Sequence, residues 1–89
     1  MTSLTDLKTK AIVANIRKIR EYRNYTQDYL AVKLKISQNA YSKIELGYSS
    51  ITLHRLIQIA DLLDSKLSDL VEIDDTESLF RKLSSKQAG

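Results

Sequence analysis

Gln38, Asn39, Ser42 and Lys43 share one face of any helix that contains them, at offsets of zero, one, four and five. Their chemistry suits the edges of nucleic-acid bases. Glutamine and asparagine each hold a donor beside an acceptor, the arrangement that matches N6 and N7 of adenine. Lysine donates to guanine or to phosphate, and a serine hydroxyl can donate or accept. A polar face that merely meets water is the other reading of the same four residues.

Other chemistries lack their residues. The chain has no cysteine, two glycines and a single histidine, His54. That leaves no nucleophile–histidine set, no glycine-rich phosphate loop and no Cys/His zinc cluster, so the chain is not read as an enzyme, and no cofactor or metal is expected. His54 is read as a surface residue. At 89 residues the chain makes one domain. A domain of this size buries roughly 60–65% of its unfolded surface, so its stability margin is narrow.

The polar face needs a scaffold, and the periodicity of the apolar residues supplies one. Proline is absent and no long stretch alternates, so the fold class is all-α. A first helix is expected from about Asp6 to Arg23, with Thr5 as cap and Ile12, Ile16 and Ile19 as its inner stripe. Thr26 caps a second helix, Gln27 to Leu34, with Leu30, Ala31 and Leu34 inward. After the link Lys35-Ile36, Ser37 caps a third helix, Gln38 to Leu46, anchored by Tyr41, Ile44 and Glu45. Gly47 suits a helix end that needs positive φ. Thr52 caps a fourth helix with Leu53, Leu56, Ile59, Ala60 and Leu63 inside, and Leu67 and Leu70 of a fifth, Leu67 to Val71, close the core. The domain spans residues 1–71. Residues 72–89 form an acidic and polar tail with a helix expected from about Thr76 to Lys86. Its Leu79, Phe80 and Leu83 either fold back or form a dimer surface.

Charge is divided along the chain. Residues 1–71 carry eleven basic and seven acidic side chains, and residues 72–89 carry three and four. The excess of positive charge in the domain favours a polyanionic partner. No apolar run approaches the ~18 residues of a membrane span, and Met1 to Lys8 lacks the pattern of a signal peptide, so a cytoplasmic protein with no membrane contact is expected.

Two helices this short are marginal alone and persist only when packed. Joined by a tight turn, they form a helix-turn-helix over about 26–47, whose second helix can enter the major groove. The run Thr26-Gln27-Asp28-Tyr29-Leu30-Ala31, then Leu34-Lys35-Ile36-Ser37-Gln38-Asn39-Ala40-Tyr41-Ser42-Lys43-Ile44-Glu45-Leu46-Gly47, resembles the bacteriophage repressor/Cro-like (XRE-type) helix-turn-helix family. Upstream, Ile16 to Arg20 also matches. Downstream, so do Leu53 to Ala60 and Leu67 to Leu70, so the resemblance covers roughly Ala11 to Val71.

The resemblance implies a compact five-helix domain that binds double-stranded DNA and regulates transcription. It implies that Gln27 bonds a phosphate and braces Gln38. Gln38 would contact a base edge, and Asn39, Ser42 and Lys43 bases or nearby phosphates. Ser37 joins them at the head of the reading helix, and Tyr48, Ser49 and Ser50 sit in a loop on the backbone. Of the five tyrosines, Tyr48 alone is read as a phosphate contact; Tyr41 and Tyr25 are read as core, and Tyr22 and Tyr29 as half-exposed packing. Arg20 and Glu45 match an internal salt bridge of the family. Most relatives have glycine where Lys35 stands, since the turn needs positive φ there. A homodimer on a palindromic operator follows from the resemblance and from economy. One reading helix covers few base pairs, and specific affinities of ~10⁻⁸–10⁻¹¹ M usually need two. The half-sites would lie roughly 34–36 Å apart. The competing function is a protein-interaction module or antitoxin, whose tail after Glu72 binds a protein partner. Its acidic stretch, Glu72 to Glu77, would suit a basic one.

Overall fold

Thr26, Ser37 and Thr52 each stand just ahead of a helix, and their hydroxyl oxygens accept from the backbone N–H groups of Tyr29, Ala40 and Arg55, each at 3.0 Å. Each bond satisfies one of the donors that a helix start leaves open. These caps set the order of a computed structural model that describes residues 3–72 and 83–84. It has five helices among those residues and no strand: α1 (Leu4–Tyr22), α2 (Gln27–Leu34), α3 (Gln38–Glu45), α4 (Leu53–Leu62) and α5 (Leu67–Val71).

The first helix begins two residues before Asp6. Ser3 Oγ accepts from Asp6 N at 3.0 Å, so Ser3 is the cap and Thr5 lies inside the first turn. α1 and α3 each end one residue short of expectation, because Arg23 and Leu46 serve as C-caps. α5 starts where Asp69 accepts from Lys66 N at 2.9 Å.

The ends of α1 to α4 share one device. Each is followed by a left-handed residue: Asn24 (φ 62°), Lys35 (60°), Gly47 (79°) and Asp64 (52°). In each the next N–H reaches five residues back, as from Ile36 N to Ala31 O at 3.0 Å and from Tyr48 N to Lys43 O at 3.0 Å. This is the Schellman pattern, which satisfies carbonyls the helix leaves open. Asparagine and aspartate tolerate this conformation, but lysine has no side-chain bond that favours it, and the cost is about 1–2 kcal/mol. Lys35→Gly is therefore expected to stabilise the fold, less the roughly 0.5–1 kcal/mol that glycine loses through its looser unfolded chain. The check is thermal unfolding, where the midpoint should rise by a few degrees. A lower midpoint would show that the lysine side chain contributes more than its backbone costs.

Packing follows the apolar stripes. α1 supplies Val13, Ile16 and Ile19, α2 Leu30, Ala31 and Leu34, α3 Tyr41 and Ile44, and α4 Ile59 and Ala60; Leu63 and Leu70 join this buried set. α1 packs on α3 and α5, α2 on α3 and α4, and α4 on α5. Three expectations change. Ile12 is only half-buried, and the adjacent Val13 is the buried one. Leu53, expected inside, is 65% exposed with Ile57 at 42%, because a stripe centred on Leu56, Ile59, Ala60 and Leu63 leaves 53 and 57 on its outer edge. Leu67 is half-buried.

Leu83 is fully buried in the same core, and Ser84 Oγ lies 2.8 Å from the Tyr22 hydroxyl. For Leu83 the fold-back reading is the one realised, so the core draws on a residue beyond 71. Leu79, Phe80 and most of the expected 76–86 helix lie outside the described residues. No helix among the described residues is long and apolar enough to cross a membrane.

Candidate nucleic-acid interface

α3 has two faces of opposite character. Tyr41, Ile44 and Glu45 are buried, at 0%, 7% and 9% exposure. Gln38, Asn39 and Lys43 are exposed, and Ser42 is half-buried. One side therefore anchors the helix while four hydrogen-bonding side chains leave it on the other.

The anchor is electrostatic as well as apolar. Arg20 Nε donates to Glu45 Oε2 at 2.6 Å and its second terminal nitrogen to Oε1 at 3.1 Å, a two-pronged pair that ties α1 to α3. The third Arg20 nitrogen donates to Tyr25 O at 2.8 Å, in the turn before α2. Both partners are almost fully buried, so the pair fixes orientation more than it adds net stability. Burial is the largest influence on the Glu45 carboxyl and alone would raise its pKa. The bonds from Arg20 above all and from Gln27, together with the nearby Tyr41 hydroxyl dipole, outweigh it and hold the group below the ordinary carboxylate value. The bond to Glu45 likewise raises Arg20. The Tyr41 hydroxyl is buried and closes no hydrogen bond, yet it is near enough to Glu45 to respond to that charge. Burial first, and the carboxylate next, push this phenol well above the usual tyrosine range.

Gln27 departs from the expected brace. Its Nε2 donates to Glu45 Oε1 at 3.1 Å and not to Gln38. A charged carboxylate is a stronger acceptor than a neutral carboxamide, which explains the choice. The amide keeps a second N–H for another acceptor. Ser37 spends one lone pair on the cap of α3, and its hydroxyl proton can still be donated. Lys35 is exposed in the turn between α2 and α3. In the loop after α3, Tyr48 is 78% exposed, Ser50 is exposed and Ser49 is half-buried.

Several side chains that hold this arrangement had no sequence signal beyond being polar. Arg55 of α4 donates to Leu34 O at 3.2 Å, at the end of α2, which braces the helix pair on the scaffold. Arg23 donates to Leu63 O at 3.0 Å and Asp64 O at 3.1 Å, at the end of α4. Buried Asn15 donates to Leu70 O at 2.9 Å and Glu72 O at 2.7 Å, at the end of α5. Each supplies donors where helix carbonyls lack partners. Basic residues near a helix end are a known signal, but nothing in the sequence says whose end they reach. Among the described residues no group of acidic side chains and His54 is placed to hold a metal ion.

A helix pair joined by a left-handed turn, with the second helix anchored on one face and polar on the other, is the helix-turn-helix arrangement. The helix-turn-helix family profile matches residues 16–70. The chain belongs to that family, in its repressor/Cro-like (XRE) branch. Among similar proteins is the uncharacterized HTH-type transcriptional regulator YqaE of Bacillus subtilis (strain 168), 34% identical over 67 residues, or 75% of this chain. The chain spans 58% of that relative's length. No solved structure matches it. The helix-turn-helix match starts at residue 16, so α1 from Leu4 to Asn15 lies ahead of it.

Proposed function

We propose that the chain is a sequence-specific regulator of transcription that binds double-stranded DNA, with α3 reading the major groove. The observation that carries this is the split of α3 into a buried anchor and an exposed face of Gln38, Asn39, Ser42 and Lys43. Gln38 contacts a base edge, while Asn39, Ser42 and Lys43 contact bases or flanking phosphates. Gln27, Ser37, Tyr48 and Ser49 contact the backbone. The Arg20–Glu45 pair sets the angle at which α3 is presented. A homodimer on a palindromic operator fits this reading, because a single α3 spans few base pairs. Cytoplasmic location accords with the absence of cysteine. The reading as an interaction module acting through the tail gains nothing from Leu83, whose side chain is already used in the core.

The test is binding to a randomised duplex pool, followed by fluorescence anisotropy at two salt concentrations, with selection of the preferred site. Wild-type binding should weaken steeply with salt. Gln38→Ala should lose about 1–3 kcal/mol on the selected site and relax the choice at one base pair. Unchanged base preference in that variant removes Gln38 from the reading set. Absence of salt-sensitive binding by a folded sample overturns the proposal.

A further inference from the structure

A groove of about 560 Å³ runs between α1 and the loop that leaves α3. Lys10 and Arg17 of α1 line one wall, and Leu46, Gly47 and Tyr48 line the other. The approach is close: a Cβ built on Gly47 would lie 3.9 Å from Lys10 Cγ and 3.7 Å from Val13 Cγ2. The first of the two cations lies ahead of the family match, which begins at residue 16.

The charges in this groove do not cancel. Glu45 is the only carboxylate in its lining, and Arg20 and Gln27 already occupy it. Lys10 is exposed and forms no salt bridge among the described residues. Arg17 faces Glu21 across 3.6 Å, but both side chains are more than half exposed. Such a pair holds little energy and exchanges readily for another anion. Tyr48 adds an exposed hydroxyl at the mouth. The groove thus carries a basic strip, with Lys10 in no salt bridge among the described residues and Arg17 held only by an exposed carboxylate, that continues from the end of the reading helix.

We propose that this strip binds phosphodiester groups of the same duplex, beyond the base pairs that α3 reads. Lys10 and Arg17 each reach a phosphate, so the extended N-terminal part of α1 lengthens the backbone footprint. The inference rests on the DNA-binding reading above and deepens it.

Lys10→Gln and Arg17→Gln, singly and together, test it in the full chain. Each variant is titrated against a duplex carrying the selected site and an unrelated duplex of equal length. Each lost phosphate contact should lower the slope of log K against log salt by roughly 0.9. The fold-loss in affinity should be the same on both duplexes, with base preference and thermal midpoint unchanged. Glu21→Gln, which frees Arg17, should bind more tightly. A double variant whose slope equals wild type, while Gln38→Ala still alters base choice, overturns the strip and leaves α3 as reader. In that event an acidic protein segment is the occupant to seek. A loss confined to the selected site also overturns it, since that marks a base contact. No salt-sensitive binding by the wild type overturns both readings together.

Discussion

Glu45→Ala is expected to cost about 3–5 kcal/mol of folding stability, because it leaves the Arg20 guanidinium buried beside nothing that balances it. At several degrees per kcal/mol, the thermal midpoint of so small a domain should fall by more than ~10 °C. A total stability of about 5–15 kcal/mol leaves little after such a loss. The variant distinguishes two roles of the pair. Replacing both partners, as in Arg20→Met with Glu45→Leu, removes the stranded charge and should recover much of the stability. That double variant should still bind its site poorly, since Gln27 and α3 lose the carboxylate that positions them. A single variant as stable as wild type would show that water reaches Arg20 in solution.

The same residue sets an acid limit. The folded Glu45 carboxyl titrates below its ordinary value of 4.5, so between the two values the unfolded chain binds the extra proton. Its contribution is therefore complete above about pH 4.5 and is lost as pH falls through the folded value. Tyr41 acts in the opposite sense. Its folded pKa lies above the ordinary 10.0, so its contribution holds below pH 10 and is lost at higher pH. Thermal midpoints measured from pH 3 to 11 should show both limbs, with the acid one reduced in Glu45→Gln.

Leu83→Ala is expected to cost about 2–5 kcal/mol, the range for removing a fully buried leucine from a packed core. The measurement is the denaturant midpoint, with the slope m as a control on compactness. An effect of this size would place a residue near the end of the chain among those the helix-turn-helix depends on. A midpoint equal to wild type would mean that Leu83 leaves the core in solution.

How much of this could be read in advance depended on the range of the interaction. Thr26, Ser37, Thr52 and Gly47 announced helix ends because a cap acts on backbone within a few residues. The span of α2 and the inner side of α3 followed directly. Ser3 was legible in principle, since Ser3 and Asp6 have the spacing of a capped start, but Thr5 offered a competing cap. Lys35 at positive φ and the Arg20–Glu45 pair were accessible through the family resemblance, not through local pattern. Asn15, Arg23 and Arg55 were not legible. Their partners lie 55, 40 and 21 residues away and are carbonyls, which carry no side-chain identity to match. Gln27 chose between two acceptors, and only the packed position of Glu45 decides that choice.

The bonds from Asn15, Arg20 and Arg23 have a consequence for how the molecule opens. All three belong to or cap α1, and they end respectively at α5, at α3 with the turn before α2, and at the close of α4. Arg55 then ties α2 to α4. No short helix can fray from its C-terminal end without breaking a bond to another element. In hydrogen exchange, the amides of α2, α3 and α4 should therefore not form a graded series. They should converge on one slow rate set by the release of α1, so that the five helices breathe as a single foldon.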